Sequence, residues 1–216
     1  MIAIVDYGVG NLFNIERALL SLDAKTEITS DPAHILAADR LLLPGVGAFE
    51  AGMERLQADG MVDVLHEFRA SGRPLLGICL GMQLLMTESE ENGLHKGLNF
   101  IPGRVVRFQP PLSDGARFKV PQTSWNSLER SPAQQQTAWR GTVLDGIPEH
   151  VYMYFVHSYC VHVEEPETSV AVTHYGRDSF DSVIARENVT GCQFHPERSG
   201  EQGLAILRKF LEGSGS

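Results

Sequence analysis

The sequence predicts an α/β protein with a central, mostly parallel β-sheet flanked by helices and an antiparallel extension. Two observations lead to this prediction. Short apolar runs alternate with amphipathic stretches in the first half, and the second half is rich in β-branched and aromatic residues. With 216 residues, of which 43% are hydrophobic and 21% charged, the chain can bury a proper core. We expect one domain over residues 1–212 and a flexible Gly-Ser tail at residues 213–216.

In the first half, predicted strands alternate with predicted helices. Strands are expected at the short apolar runs, namely Ile2–Asp6, Lys25–Thr29, Arg40–Leu43 and Pro74–Ile78. Helices are expected where apolar residues recur every three or four positions, namely Leu12–Leu22, Phe49–Gln57, Met61–Ala70 and Met82–Met86. Asn11 is a candidate cap for the first helix. The run that ends at Ile78 is apolar throughout, as in the middle of a parallel sheet.

In the second half, strands predominate. They are expected at four segments rich in β-branched and aromatic residues, namely Val151–Val163, Ser169–His174, Ser182–Arg186 and Thr190–Phe194. The last two form a predicted hairpin. A closing helix is expected at Glu201–Leu211, with Ser199 near its cap. Residues 131–136 are the best candidate for a loose surface insertion, and no linker divides the chain into domains.

The composition disfavours several classes of partner and cofactor. The formal net charge is −9, whereas nucleic acids and anionic membranes demand basic patches. No signal peptide or membrane-spanning run is found. The three cysteines are sparse and lack metal-ligand spacing, and the histidines near His157 alternate sides of a predicted strand. We therefore expect no metal and no cofactor, and a reducing, cytoplasmic location.

The segment Gly77-Ile78-Cys79-Leu80-Gly81 has the form of a nucleophile elbow, with cysteine as the nucleophile. A sharp strand-to-helix turn needs glycine on both sides, because a Cβ atom there would clash with neighbouring backbone. The turn exposes the sulfur at a helix N-terminus, which favours the thiolate. A buried core cysteine is the alternative, and it is the interpretation that we favour for Cys160 and Cys192, which have no elbow.

His195 is the candidate acid and base that a cysteine nucleophile needs. It ends a predicted strand and precedes Pro196, which biases its backbone toward an extended conformation. Residues two apart in an extended segment point the same way, so Glu197 could reach the imidazole and orient it. The alternative is an ordinary strand-end histidine beside an exposed glutamate.

Further motifs accompany the elbow and the His-Pro-Glu segment. They are Val5-Asp6-Tyr7-Gly8 with Gly10-Asn11, Leu43-Pro44-Gly45-Val46-Gly47-Ala48-Phe49, Lys119-Val120-Pro121 with Trp125-Asn126, and Tyr154-Phe155-Val156-His157-Ser158-Tyr159. With all of them, the chain resembles the class I (triad) glutamine amidotransferases, and within them the glutaminase subunits of imidazole glycerol phosphate synthase. The Asp-Tyr-Gly start, the Pro-Gly-Val-Gly-Ala-Phe loop and Met82 favour this subunit, because related glutaminases usually carry histidine at the position of Met82.

The resemblance implies a flavodoxin-like fold and a role for each matching residue. It implies a catalytic triad of Cys79, His195 and Glu197 that releases ammonia from glutamine through a glutamyl thioester. It implies an oxyanion hole at the loop Gly45, Val46 and Gly47, with the backbone N–H groups of Val46 and Leu80 as donors. It also implies contacts with the substrate glutamine at Gln83, His157, Ser158 and Tyr159.

The resemblance further implies a partner protein. Free ammonia is soon protonated in water, and a chain of this length has no second domain that could use it. In the resembled family, a (β/α)8-barrel cyclase takes the ammonia and makes imidazole glycerol phosphate and aminoimidazole carboxamide ribonucleotide in histidine biosynthesis. Trp125, Asn126 and Tyr154 match positions at that heterodimer interface, although ordinary packing would also explain them.

Two departures from the family pattern and three alternatives stay open. Gln122-Thr123-Ser124 stands where His-Met-Gly is common, and Ser124 limits the backbone of a loop where relatives have glycine. Arg198 stands where lysine is common. The alternatives are a glutaminase for another synthase, such as one that aminates chorismate, a cysteine hydrolase or peptidase with the same elbow, and a non-catalytic binding protein.

Overall fold

The computed structural model describes residues 1–109, 119–134, 136 and 139–213. Residues 214–216 of the predicted tail and residue 135 of the predicted insertion lie outside the described residues. Six α-helices are described: α1 (Leu12–Leu20), α2 (Pro32–Ala37), α3 (Phe49–Ala58), α4 (Met61–Ala70), α5 (Leu80–Leu84) and α6 (Gly200–Glu212). Short 3-10 turns occur at Pro132–Gln134, Pro166–Thr168 and Pro196–Arg198. None of the described helices combines the length and apolarity that crossing a membrane requires.

Fourteen strands are described along the same residues. They are β1 (Ile2–Val5), β2 (Thr26–Thr29), β3 (Arg40–Leu43), β4 (Leu75–Ile78), β5 (Glu88–Ser89), β6 (His95–Lys96), β7 (Gly103–Arg107), β8 (Gln122–Ser127), β9 (Glu129–Arg130), β10 (Tyr152–His157), β11 (Tyr159–Val163), β12 (Ser169–Tyr175), β13 (Asp178–Arg186) and β14 (Val189–Cys192). Twelve of them form one sheet, and β8 and β10 form a separate antiparallel pair.

The parallel half of the large sheet has the order β2-β1-β3-β4-β14. This is the flavodoxin-like order, in which ligands bind beyond the carboxyl ends of the strands. The predicted α/β class and its mostly parallel centre are confirmed. Because β3, β4 and β14 are neighbours in register, the segments that follow Leu43, Ile78 and Cys192 leave the sheet at the same edge.

Beyond β14 the sheet continues in antiparallel fashion through β13, β11 and β7, as predicted for the extension. The prediction of one strand over Val151–Val163 is wrong. The chain breaks at Ser158, so that β10 pairs with β8 while β11 pairs with β7. Strand propensity identifies residues that suit a pleated surface, but it does not identify the partner strand.

Apolar side chains cover both faces of the parallel half. One face packs against α3 and α4, where Phe49 and Phe68 are completely buried. The other face packs against α1 and α6, where Ile15 and Phe210 are buried. Full burial of such a side chain contributes about 1.5–3 kcal/mol. The helices therefore cover both faces of the sheet and support the carboxyl ends of β3, β4 and β14.

Two local predictions hold only in part, since Asn11 stands at the start of α1 and Pro132 and Ala133 of the predicted insertion are exposed. Asn11 occupies the N-cap position of α1, but its side chain makes no capping hydrogen bond. The segment predicted as a loose insertion begins with Ser131, which is completely buried and donates its hydroxyl to the carbonyl oxygen of Ser169. Close to this segment, Trp139 is buried and donates its indole N–H to the carbonyl oxygen of Val170, so this part of the chain packs against β12.

Candidate active site

Cys79 lies in a sharp turn between β4 and α5, with φ of 54° and ψ of −110°. Side chains rarely adopt positive φ, so the turn holds this residue in a strained conformation. A Cβ atom at Gly77 would lie 2.8 Å from backbone atoms of Gly81, and one at Gly81 would lie 1.8 Å from the carbonyl oxygen of Leu43. The elbow predicted from the two glycines is therefore present. Its backbone packs closely on itself, at Gly77 and Gly81, and on the backbone of Leu43 at the end of β3.

His195 follows β14, and its backbone is anchored on both sides. Its N–H donates to the carbonyl oxygen of Tyr154 over 3.0 Å, and its carbonyl oxygen accepts the hydroxyl of Ser199 over 2.6 Å. The hydroxyl of Ser199 in turn accepts the N–H of Tyr154 over 3.0 Å. Ser199 thus ties the histidine to β10 and does not cap α6 with its side chain.

Glu197 reaches the imidazole as predicted, although by another backbone route. His195 is extended, but the 3-10 turn Pro196–Arg198 follows it directly, so the assumption of an extended segment through residue 197 is wrong. The turn places the Oε1 atom of Glu197 2.9 Å from Nδ1 of His195. The imidazole is therefore held through Nδ1, and its Nε2 atom is left for another partner.

The charge of His195 is set by its two neighbours. Burial disfavours the imidazolium, but hydrogen bonds to the Cys79 sulfur and the Glu197 carboxylate, together with their charges, outweigh burial and raise the pKa of His195 to about 10. An imidazole that stays protonated at neutral pH can pair with a thiolate and can donate a proton. His195 thus lies between the predicted nucleophile Cys79 and the predicted orienting carboxylate of Glu197 and contacts both of them.

The loop after β3 lies beside the elbow. The phenol of the buried Tyr7 donates to the carbonyl oxygen of Pro44 over 2.6 Å. A Cβ atom at Gly45 would lie 2.5 Å from the Tyr7 oxygen and 2.9 Å from Cβ of Leu80. Val46, by contrast, is 45% exposed, and Gly47 has φ of 110° with open space where a Cβ atom would stand. The first part of the loop is thus tightly packed, and the second part is open.

A cavity of about 450 Å³ contains most of the predicted site residues. Its lining includes the predicted catalytic residues, part of the predicted oxyanion loop and the predicted substrate residues: Cys79, His195, Glu197, Val46, Gly47, Leu80, Gln83, His157, Ser158 and Tyr159. Its volume is in the range that holds a small metabolite. The predicted interface residues Trp125, Asn126 and Tyr154 are not part of the lining, and neither is Gly45.

Gln83 is buried, and its amide is committed to protein partners. Its Nε2 donates to the carbonyl oxygen of Tyr159 over 3.0 Å and to Oε1 of Gln193 over 3.1 Å. Both N–H groups of the amide are therefore used, and only its oxygen can take part in binding a ligand. The sequence pattern predicted that Gln83 contacts the substrate, but it did not predict that the Gln83 side chain can only accept a hydrogen bond from it.

His157 lines the cavity, and its side chain is buried. Its Nδ1 lies 2.8 Å from the carbonyl oxygen of Tyr159, and aromatic rings surround it, among them Phe108 and Phe180. Burial lowers the pKa of His157 to about 4, with the hydrogen bond to Tyr159 opposing and the nearby His195 adding to the shift. The imidazole is therefore neutral at pH 7 and carries no charge beside the cavity.

The two other cysteines are core residues, as predicted. Cys160 is 1% exposed and Cys192 is completely buried. Burial raises the pKa of Cys160 to about 12, with the charges of Asp178 and Asp181 adding to the shift, and burial also raises that of Cys192 well above its usual value. Such thiols are inert at neutral pH.

The three predicted interface residues lie close together on the β8–β10 pair. Trp125 is opposite Tyr154, and their rings meet edge to face at 5.9 Å. Trp125 is 51% exposed. The side-chain amide of Asn126, by contrast, is bound within the chain: it donates to the carbonyl oxygen of His174 and accepts the N–H of Ser127. The guanidinium of Arg198, which also lines the cavity, lies 4.2 Å from the centre of the Tyr154 ring.

Several residues at the site had no role in the predicted site, and three of them make contacts that hold it together. Tyr7 holds Pro44, Glu91 accepts the N–H of Phe49 at the start of α3 over 2.7 Å and lines the cavity, and Gln193 contacts the Cys79 sulfur. Tyr7 belongs to the motif Val5-Asp6-Tyr7-Gly8, and Gln193 stands two residues before His195, so a signal existed for both, whereas none marked Glu91. In the described part of the chain, no three His, Cys, Asp or Glu side chains cluster as metal ligands would.

Residues 3–213 match the family described as glutamine amidotransferase class-I. The chain belongs to this family. Curated class-I relatives include imidazole glycerol phosphate synthase subunit HisH 1 of Legionella pneumophila, which is 44% identical over 98% of either chain. The HisH subunit of Archaeoglobus fulgidus is 46% identical over 98% of either chain. That of Syntrophotalea carbinolica is 45% identical over 97% of this chain and 98% of its own.

Solved structures show the same class-I fold. A crystal structure of a glutamine amidotransferase superposes with a TM-score of 0.71 at 18% identity and covers 100% of both chains. A glutamine amidotransferase from Thermotoga maritima superposes with a TM-score of 0.59 at 14% identity, over 98% of this chain and 83% of its own. At such identities the likeness concerns the fold alone.

Proposed function

We propose that this class-I glutamine amidotransferase is the glutaminase subunit of an imidazole glycerol phosphate synthase. The observation that carries the proposal is the identity of 44–46% over nearly the whole chain with curated subunits of that synthase. The geometry around Cys79 supports the chemistry, since a thiol, an imidazole and a carboxylate meet in a cavity large enough for glutamine.

In this proposal, Cys79 is the nucleophile for the side-chain amide of glutamine. The thiolate attacks the amide carbon, and the carbonyl oxygen becomes an oxyanion that the N–H groups of Val46 and Leu80 stabilise. The imidazolium of His195, held by Glu197, gives its proton to the leaving nitrogen, and ammonia departs from a glutamyl thioester. His195 then takes a proton from water, which cleaves the thioester to glutamate and restores the thiolate.

The substrate contacts follow from the cavity wall. We place the side-chain amide of glutamine at Cys79 and its amino acid end near Gln83 and the backbone of residues 157–159. Because the Gln83 amide donates both of its N–H groups to the protein, its oxygen is the group left to accept a hydrogen bond from the substrate ammonium. The cavity needs no cofactor for this chemistry.

The ammonia passes to a cyclase partner in this proposal. Ammonia that escaped into water would be protonated and lost as a nucleophile, so a protein that uses it must be attached at the site. The exposed ring of Trp125, next to Tyr154 and Arg198, supports the β8–β10 pair as part of that interface, with Asn126 beside it. A cytoplasmic location is also proposed, and the three free cysteines suit a reducing compartment.

The test is glutamate release from glutamine by the chain alone, with the cyclase, and with the cyclase and its nucleotide ligand. We expect weak release alone and stimulation by at least about tenfold in the full mixture, because the partner completes the site. The control is the Cys79→Ala chain in the same mixtures, which corrects for contaminating glutaminase. Equal rates with and without the cyclase would contradict the proposal, and stimulation by another synthase would reassign the partner.

A further inference from the structure

Among the described residues, the Cys79 sulfur has two polar neighbours besides His195, and they favour opposite charge states. The carbonyl oxygen of Val156 lies 3.8 Å from the sulfur and can only accept a hydrogen bond. The Nε2 atom of Gln193 lies 3.8 Å from the sulfur and can only donate. A carbonyl oxygen favours the S–H form, whereas an N–H donor favours the thiolate, because a charged acceptor makes the stronger hydrogen bond.

The orientation of the Gln193 amide is settled by its surroundings. The Tyr159 carbonyl oxygen accepts from Gln83 over 3.0 Å, so the atom of Gln83 that faces it is the donor Nε2. The same nitrogen lies 3.1 Å from the Gln193 amide, which must therefore present its oxygen there. The Gln193 nitrogen then faces the sulfur. A backbone carbonyl thus determines, through two amides, which group faces the nucleophile.

Gln193 is placed for this contact by the end of β14. It is completely buried, it does not line the cavity, and it stands two residues before His195, which contacts the sulfur as well. Cys192 and Phe194, which alternate with these two, are completely buried in the core. The segment therefore presents an amide and an imidazole to Cys79 and two apolar side chains to the interior.

We infer that Gln193 is a hydrogen-bond donor to the Cys79 thiolate, and that Gln83 is the positioning residue that orients it. This inference rests on the proposed function, in which the thiolate forms twice in each cycle. It forms before attack on the glutamine amide, and it forms again as the leaving group when water cleaves the thioester. The N–H group of Gln193 stabilises the thiolate on both occasions and offsets the opposing carbonyl oxygen of Val156.

The inference is tested by the pH dependence of Cys79 alkylation with iodoacetamide, followed by peptide mass spectrometry of the full-length chain. Only the thiolate reacts, so the rate measures its population. Gln193→Met removes the donor, and Gln193→Glu replaces it with an anionic acceptor that still accepts from Gln83. We expect Gln193→Met to raise the midpoint by about one pH unit, which slows alkylation at pH 7 about tenfold, and Gln193→Glu to raise it further. Gln83→Met should raise it less, because the donor stays and only its orientation is lost.

Gln122→Met is the matched control, because Gln122 is also completely buried and makes no contact with the sulfur among the described residues. It should leave the midpoint unchanged. Wild-type midpoints in folded Gln193→Met and Gln193→Glu chains would overturn the inference. If these chains do not fold, the inference is tested by NMR on ¹⁵N-labelled wild-type protein, in which the side-chain amide signal of Gln193 is followed with pH. It should shift as Cys79 titrates, the shift should be absent in Cys79→Ala, and an unmoved signal would overturn the inference.

The alkylation assay uses neither glutamine nor a partner. A chain that fails the cyclase-stimulated assay but shows the shifted midpoints would contradict the proposed function and leave the contact between Gln193 and Cys79 established. The reverse result would leave the proposed function standing and remove Gln193 from it.

Discussion

The Nδ1 atom of His195 lies 2.9 Å from Oε1 of Glu197, and the two side chains are only 8% and 1% exposed. Such a pair is an ion pair only while the imidazole is protonated. Because Glu197 and the Cys79 sulfur raise the pKa of His195 to about 10 against the burial that lowers it, the pair stays charged over the whole physiological range. The contact that orients the base therefore also contributes to stability.

Glu197→Gln should destabilise the fold in a pH-dependent way. The folded-state pKa of His195 lies above its ordinary value of 6.5, so the stabilisation is fully present below about pH 6.5 and is lost as the pH rises towards 10. The free energy of unfolding, measured by urea denaturation, should differ more between wild type and variant at pH 6 than at pH 9. A difference that is the same at both pH values would show that the carboxylate acts by packing alone.

Cys79→Ala should abolish glutamine hydrolysis, because no other described thiol lines the cavity. In the complex with the cyclase, synthesis from added ammonium salts should continue at the wild-type rate, since ammonia then bypasses the glutaminase. The measurement is product formation with glutamine and, separately, with ammonium chloride at high pH. Loss of both activities would assign Cys79 a structural role.

Tyr7→Phe should lower the rate of glutamine hydrolysis. The phenol of Tyr7 donates to the carbonyl oxygen of Pro44, and its loss leaves a buried acceptor unpaired at the base of the oxyanion loop, which costs about 1–3 kcal/mol. We expect kcat to fall more than KM changes, because in the proposed function the loop stabilises the transition state. The matched control is Tyr152→Phe, since Tyr152 is 61% exposed. Equal kinetics of the two variants would contradict a role for the loop anchor.

Gly81→Ala should lower the free energy of unfolding by about 3 kcal/mol if the backbone partly adjusts, and by more if it does not. The new Cβ atom would lie 1.8 Å from the carbonyl oxygen of Leu43, and backbone cannot yield as a side chain can. Gly52→Ala is the control, because its Cβ atom would meet only the ends of Leu80 and Leu84 at 3.3 Å inside a helix. Urea denaturation of both variants measures the difference, and a mild effect at Gly81 would mean that the elbow is less tightly packed than described.

Trp125→Ala should weaken cyclase binding and leave the stability of the chain almost unchanged. The ring is 51% exposed, so its removal uncovers little core, but large exposed aromatic residues often dominate binding energy. We expect a loss of affinity of tenfold or more by titration calorimetry. The control is Leu20→Ala. Leu20 is 52% exposed, and it lies at the end of α1 that is farther from the cavity residue Asn11. Unchanged affinity of the Trp125 variant would remove this ring from the interface.

The elements and residues that the sequence predicted correctly are those with a local signal. The strands before Pro44 and Cys79 are short apolar runs, and the elbow is marked by two glycines whose close contacts the fold confirms. The same holds for α4, whose predicted bounds, Met61–Ala70, agree with the structure. In these segments the local sequence is enough to predict the conformation.

What could not be predicted depends on residues far apart in the chain. Ser158 separates β10 and β11, which belong to different sheets. Nothing in the sequence of these two strands shows that β10 pairs with β8 and β11 with β7. The amide contacts from Tyr159 through Gln83 to Gln193 join three segments, so the pattern that marked Gln83 could not reveal that both of its N–H groups are taken. The turn at Pro196 likewise became visible only in the fold.

The positive φ of Cys79 has a consequence for how this lineage can change over time. Glycine would adopt the same backbone angles with little strain, so Cys79→Gly should be at least as stable as Cys79→Ala, the reverse of the order in ordinary helices. Replacement of this cysteine by glycine therefore meets little resistance from folding. Under the proposed function, it is selection for ammonia release that keeps the cysteine, and a descendant that loses that need can discard its chemistry while its architecture and its resemblance to relatives persist.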